Sequence, residues 1–168
     1  MLFGLVGSEM CIRDSFRLDE IGIAATRLNA TVLQTMLAEI GCNVADVVPT
    51  TTDEAASLFE RYDIVVMGGT KPGHTTDAVS VAFARDAGSA HVIIATNVSH
   101  VYTADPRTND DAEPLDTLTL KELQDITGKE ALQPGQSAAV DPIAVHWAIE
   151  CGLRIGVLDG RDIRRIED

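Results

Sequence analysis

The chain has 168 residues, 45% of them hydrophobic and 23% charged, with a formal net charge of −13 at pH 7. Those values fit one soluble domain with a sizeable core, and they argue against nucleic acid or an anionic membrane as partner, because polyanions repel so acidic a protein. The cysteines, Cys11, Cys42 and Cys151, are odd in number and form no CxxC pair, so neither a disulfide framework nor a zinc site is indicated, and a reducing, cytoplasmic setting is the expectation.

Residues 1–15 stand apart. The string Ser8-Glu9-Met10-Cys11-Ile12-Arg13-Asp14-Ser15 resembles translated sequencing-adapter read-through, and the segment is expected to be a non-native leader. It lacks the basic start of a signal peptide. No apolar run reaches membrane-spanning length. From Ile21 to Ile40 the pattern is helical. Ala25, Leu28, Val32 and Met36 form one stripe, widened by Leu33, Leu37 and Ile40, so this helix is expected to be largely buried. Gly41 is its stop. Asn43 to Val48 reads as a strand, and Asp53 to Tyr62 as a short helix capped by Thr51 or Thr52.

Asp63 to Met67 reads as a strand that runs into Gly68-Gly69-Thr70-Lys71-Pro72-Gly73-His74-Thr75-Thr76-Asp77, with a helix starting at Thr75. Strand, glycine loop and helix start together make an anion site in α/β proteins, because N–H groups and the helix dipole at that point favour negative charge. The glycines permit close backbone approach, the threonines add hydroxyl donors, and Lys71 is one of only three lysines, with Lys121 and Lys129. The loop is neither a Walker sequence nor a dinucleotide fingerprint.

The helix after Thr75 stops near Gly88. His91 to Thr96 is a buried strand, and Asn97 to Pro114 a long polar loop of the kind that carries function. Leu118 to Ile126 is helical and Gly128 to Val140 irregular. Asp141-Pro142 opens a helix to Glu150, with Asp as N-cap and Pro at the first position. Leu153 to Leu158 is a strand, and a last helix starts near Arg161. Cys42 and Cys151, each beside a glycine at a helix end, read as buried thiols. Strands that are continuous apolar runs, alternating with helices, call for an α/β fold with a mostly parallel sheet. Ligands then bind beyond the strands' carboxyl ends, after Met67 and after Ala95.

Two segments are more specific together than apart: Met67-Gly68-Gly69-Thr70-Lys71-Pro72-Gly73-His74-Thr75-Thr76-Asp77-Ala78-Val79 and Thr96-Asn97-Val98-Ser99-His100-Val101-Tyr102-Thr103-Ala104-Asp105-Pro106. At this spacing the chain resembles the amino-acid kinase superfamily, and within it the archaeal type of UMP kinase. The resemblance runs from about Phe16 to the C-terminus and takes in Asp19, Ile21-Gly22-Ile23, Thr26-Arg27 and Val140-Asp141-Pro142. It implies a three-layer α/β/α sandwich with a mostly parallel central sheet. It implies transfer of the γ-phosphoryl of Mg-ATP to UMP, giving UDP and ADP, with Mg²⁺ accompanying ATP and no residue assigned as a metal ligand. Asp19 is similar to the acid that holds the uridine ribose. Thr70, Lys71, Pro72, Gly73, His74, Thr75 and Thr76 are similar to the UMP loop. Thr96, Asn97, Tyr102 and Asp105 are similar to ATP contacts, and Asp77 to the aspartate that orients charged groups at the transferring phosphate. His74 is read as a binding residue rather than a general base, since phosphoryl transfer asks little of proton chemistry. Asp77 retains a second reading as a first-turn helix acid. Arg27 is open between a nucleotide contact and a pairing with a carboxylate.

Two departures stand out. Ser99-His100 replaces the family's Asp-Gly, which removes a glycine from a turn and a carboxylate from the loop. The family's first strand and glycine loop have no counterpart from Phe16 on, so residues 16–168 read as a kinase domain truncated at both ends. The same fold also serves kinases for other acceptors and non-catalytic nucleotide-binding or storage relatives. The resemblance further implies a homohexamer. The 168-residue chain alone is expected to form no ADP from ATP in response to UMP, and a coupled ADP assay showing steady turnover would refute this.

Overall fold

The computed structural model describes residues 6–106, 108–130 and 138–162, with side chains described from residue 16 onward. The chain divides into two compact units, residues 1–79 and 80–168.

The first unit is dominated by α1 (Val6–Glu39). The helix thus starts fifteen residues before the expected Ile21. It ends in a Schellman turn: Cys42 N–H donates to Leu37 O (3.0 Å) and Gly41 N–H to Ala38 O (3.0 Å), with Gly41 at φ +85°. The buried face is not the expected one. Leu28, Val32 and Met36 are exposed, as are Leu33 and Ile40. The inward line is Ile23, Thr26, Arg27, Ala30, Gln34 and Leu37, with Ala30 only 5% exposed. Apolarity picked the wrong stripe because the inward face is partly polar for a reason. Its side chains bond main-chain groups of the neighbouring loops, as Gln34 Nε2 does to Ala45 O (3.1 Å).

The two strands expected at 43–48 and 63–67 reduce to a single parallel bridge, Val44 with Ile64. Ala45 N–H donates to Ile64 O (2.9 Å) and Ile64 N–H to Asn43 O (3.2 Å). From Gly69 on, main-chain groups bond side chains of α1 instead of a strand partner. Helix α2 (Thr52–Phe59) stops three residues short of Tyr62 and is capped by Thr51, whose side chain accepts from Glu54 N–H (3.2 Å).

Helix α3 (Thr76–Asp86) leads into the second unit, whose sheet is β1 (His91–Thr96) paired in parallel with β4 (Arg154–Asp159), His91 opposite Arg154 and Thr96 opposite Asp159. Parallel pairing requires a crossover. Helices α4 (Leu120–Thr127) and α5 (Pro142–Cys151) lie in the intervening chain and pack on each other. The segment expected as one polar loop contains an antiparallel ribbon, β2 (Val101–Tyr102) with β3 (Pro114–Leu115). Helices with a parallel pair make the chain α/β, as expected. The core joins Val81 and Ala84 of α3, Val92 and Ile94 of β1, Leu123 of α4 and Ala144, Val145 and Ala148 of α5. Strand β1 is buried on that face only, since Ile93 is 68% exposed where burial on both faces was expected. Cys42 is half-buried and Cys151 exposed, so neither is the buried thiol expected. The last helix, expected from near Arg161, falls mostly outside the described residues.

Asp141 is the buried charged residue of this core at 4% exposure, and its Oδ1 accepts from Ile143 N–H (2.7 Å) at the start of α5. Asp141→Ala leaves that N–H and the helix start uncapped, and a loss of about 2 kcal/mol in urea unfolding is expected. At α4, Thr119 and Glu122 cap one another reciprocally, Glu122 Oε2 accepting from Thr119 N–H (2.7 Å) and from its hydroxyl (2.8 Å). These bonds lower the Glu122 pKa below its ordinary 4.5, the backbone bond contributing most. A lowered carboxylate pKa stabilises the fold above the unfolded value and loses that contribution as pH falls through the folded value. The melting temperature is therefore expected to fall more steeply below pH 4.5 in the parent chain than in Glu122→Gln.

Candidate functional site

The candidate site lies within the first unit, where the inward face of α1 meets the glycine loop. Thr26 Oγ1 donates to Ile23 O (2.8 Å) and accepts from Gly69 N–H (2.8 Å). Arg27 Nε donates to Gly69 O (2.9 Å) and Nη2 to Thr70 O (3.0 Å), with a longer approach of Nη2 to Thr50 O (3.5 Å). Arg27 therefore grips carbonyls, a partner that neither reading of the sequence named. The approach is close. A Cβ on Gly68 would lie 2.7 Å from Arg27 N, so that position requires glycine, and one on Gly69 would lie 3.0 Å from Ile23 Cγ1 and crowd that side chain.

The loop then turns through Lys71-Pro72-Gly73-His74. His74 N–H donates to Lys71 O (3.4 Å), Pro72 stands second and Gly73 third with φ +82°, the pattern of a type II turn. Asp19, two helical turns before Thr26, reaches this turn: its Oδ2 accepts from Gly73 N–H (2.8 Å). Thr75 caps α3 with its side chain, accepting from Ala78 N–H (3.3 Å). Asp77 sits in the first turn of α3.

Between these elements opens a cleft of about 250 Å³. Helix α1 lines it with Leu18, Asp19, Gly22, Ile23 and Thr26, and the loop with Gly69, Lys71, His74, Thr75 and Thr76. Five expected binding residues thus share one cavity. Thr70 and Gly73 are tied to α1 through their main chains, and Pro72 forms the tip of the turn. The lining combines two chemistries. The Asp19 carboxylate suits hydroxyl donors, while Lys71, threonine hydroxyls and the positive end of the α3 dipole suit an anion.

The second unit carries the other expected contacts. Thr96 closes β1, and Asn97 follows it. Tyr102 is half-buried in β2, and Asp105 opens a turn in which its carbonyl accepts from Thr108 N–H (3.1 Å) and Asn109 N–H (2.9 Å). Arg161 was not foreseen in this role. It pairs with Asp159 through Nε to Oδ1 (2.8 Å) and Nη2 to Oδ2 (2.6 Å), and donates to Asn97 O (2.9 Å). Asp159 hydrogen bonds and charge hold its guanidinium still more firmly protonated. The signal was available, since parallel β1 and β4 end together and Asp159 stands opposite Thr96. Ser99-His100 introduces no left-handed strain: no described non-glycine residue has positive φ. His100 Nδ1 instead meets Ser99 Oγ (2.9 Å), its ring packs edge-on to Tyr102 with centroids 6.4 Å apart, and Nε2 lies 3.6 Å from Asp116. Among the described residues, no group of three or more His, Cys, Asp or Glu is placed to hold a metal ion.

The profile of the amino acid kinase family matches residues 6–159. Uridylate kinase from Methanococcus vannielii is 48% identical over 142 residues, covering 84% of this chain and 62% of that protein. Its counterpart from Methanocaldococcus jannaschii is 39% identical over 155 residues, covering 92% of this chain and 67% of that one. The chain thus spans about three-fifths of the length of the first of these relatives. Among solved structures, uridylate kinase from Archaeoglobus fulgidus aligns with TM-score 0.73 and 34% identity over 94% of this chain and 72% of that one. UMP kinase from Bacillus anthracis aligns with TM-score 0.70 and 25% identity over 99% and 70%.

Because Gly69 is buried, Thr26→Val strands its N–H without changing shape. A loss of roughly 1–3 kcal/mol is expected in chemical unfolding, while Thr26→Ser, which keeps the acceptor, stays close to the parent.

Proposed function

We propose, from the premise that the chain belongs to the amino acid kinase family, that it carries the acceptor half of a UMP kinase. The full reaction moves the γ-phosphoryl of Mg-ATP to UMP. A phosphate oxygen of UMP attacks the γ-phosphorus, the bond from γ-phosphorus to the bridging oxygen breaks, and UDP and ADP result. Mg²⁺ enters as the partner of the ATP phosphates and screens their charge.

One observation carries the reading. The cleft between α1 and the 69–76 loop is lined by the Asp19 carboxylate together with Lys71, threonines and the start of α3. That set of groups matches a nucleoside monophosphate, with ribose hydroxyls donating to Asp19 and the phosphate at Lys71, Thr75 and Thr76. The pyrimidine nucleotide lies along the Leu18–Thr26 face, with Thr70, Pro72, Gly73 and His74 shaping the loop around it. The archaeal uridylate kinases among the relatives support uridylate as the acceptor. Thr96, Asn97, Tyr102 and Asp105 are proposed for ATP. Asp77 is proposed to orient charged groups at the transferring phosphate, a step that relies on positioning and electrostatics rather than covalent help.

We also propose a homo-oligomer, a hexamer on the family resemblance, in a cytoplasmic setting. The apolar side chains exposed along α1, among them Ile21, Leu28, Val32 and Met36, support an assembled state. No described helix is long and apolar enough to cross a membrane.

A ligand that binds only the folded chain raises its melting temperature with concentration. Millimolar UMP is expected to stabilise the 168-residue chain measurably more than the same concentration of aspartate or glutamate. No shift with UMP, or an equal shift with the amino acids, would sink uridylate as the acceptor. Asp19→Asn is expected to weaken the UMP shift.

A further inference from the structure

Glycine inside a helix is destabilising relative to alanine, so each one needs a reason. Most described glycines have one in their own chain: Gly41, Gly73, Gly88, Gly128 and Gly152 have positive φ, and a Cβ on Gly68, Gly69 or Gly160 would crowd neighbouring atoms. Gly22 has neither. It lies in the interior of α1 with no positive φ, and a Cβ there would meet nothing within 4 Å among the described residues.

Its position supplies the reason. Gly22 lines the cleft, on the helix face that carries Asp19 and Thr26. Both residues latch α1 to loop amides, Asp19 to Gly73 N–H and Thr26 to Gly69 N–H. They stand seven residues apart, roughly 10 Å along the axis. Gly22 lies between them, three residues after one and four before the other. The helix thus touches the loop at both ends of this stretch and presents no side chain at position 22 between them. Leu18 and Ile23 border the same gap. Bare backbone between two aliphatic side chains suits a flat, weakly polar group. A phosphate belongs with Lys71 and the α3 start.

We propose that Gly22 is a specificity-determining position of the acceptor site: the patch of bare helix backbone against which the sugar and base of a pyrimidine nucleotide lie. This rests on the acceptor-site reading above and adds a residue and a steric rule to it. Any side chain at position 22 occupies ligand space, while the fold itself gains from losing the glycine. Stability and binding must therefore move in opposite directions.

The test compares the parent chain with Gly22→Ala and Gly22→Leu, using UMP as the probe in titration calorimetry and thermal unfolding. Without nucleotide, Gly22→Ala melts roughly 1–4 °C higher than the parent. Gly22→Leu weakens UMP binding by about tenfold or more, with Gly22→Ala between it and the parent. The proposal is overturned if the parent binds UMP and Gly22→Leu binds it equally well, a result that leaves the acceptor reading standing. It is overturned if Gly22→Ala melts lower than the parent, since the glycine then serves packing. It is also overturned if Gly22→Leu alters only the mass in sedimentation, since the glycine then marks a helix crossing between copies. Absence of UMP binding by the parent removes the acceptor reading and this proposal together.

Discussion

The grip of Thr26 and Arg27 on Gly69 and Thr70 is the constraint on which the first unit depends. Two neighbouring side chains satisfy the N–H and C=O of a buried glycine and the carbonyl after it. An unmet main-chain group there would cost as much as a lost hydrogen bond. The grip depends on Gly68, where a Cβ would press into the α1 main chain, and is eased by Gly69, where one would crowd Ile23. It fixes where the loop leaves α1, the type II turn sets its direction, and the Thr75 cap fixes where α3 begins. Each side chain of the cleft takes its position from one of these three devices.

Charge shapes the site in the same local way. A net charge of −13 repels an anionic ligand at long range, but screening at physiological salt limits that repulsion to about 8 Å. Inside the cleft, the α3 dipole, the threonine hydroxyls and Lys71 act at contact distance. The bond from Gly73 N–H to the Asp19 carboxylate already places an anionic oxygen on a loop amide. At Gly73 the loop backbone thus already donates to an anionic oxygen despite the acidity of the whole chain.

Local chemistry was legible in the sequence wherever the signal was short-range. Pro72-Gly73 specified its turn, Thr75 its helix start, Asp141-Pro142 its cap, and His91 to Thr96 its strand, all from neighbours a few residues away. What escaped depended on partners far along the chain. The stripe of Leu28, Val32 and Met36 looked like core because periodicity measures apolarity and not what an element faces. The face that turned inward was half polar, and its partners lie about forty residues downstream, in a loop whose carbonyls no pattern reveals. The expected strand at 63–67 keeps only its bridge at Ile64, and the loop that follows it bonds side chains of α1 at Gly69 and Thr70. Of the candidate site, the membership of Asp19, Lys71, His74, Thr75 and Thr76 in one cleft was readable through motif resemblance. The roles of Thr26, Arg27 and Gly22 needed coordinates. Arg161 lay hidden at the end of a strand whose pairing with β1 was not specified.

The loop amides at Gly69 and Gly73 are bonded to side chains and not to a helix or strand ladder. That sets how the loop can move. An amide in a ladder is released only when a cooperative stretch of structure opens. A side-chain acceptor withdraws by a rotamer change, which at exposed positions takes picoseconds to nanoseconds. Gly73, held by the exposed Asp19, can open on that fast scale, whereas Gly69 is buried and waits for α1 and the loop to separate. Hydrogen exchange should therefore separate two amides four residues apart, the outer one freed by local fluctuation and the inner one by larger opening. A ligand arriving at the turn competes with a single carboxylate and leaves the inner latch closed.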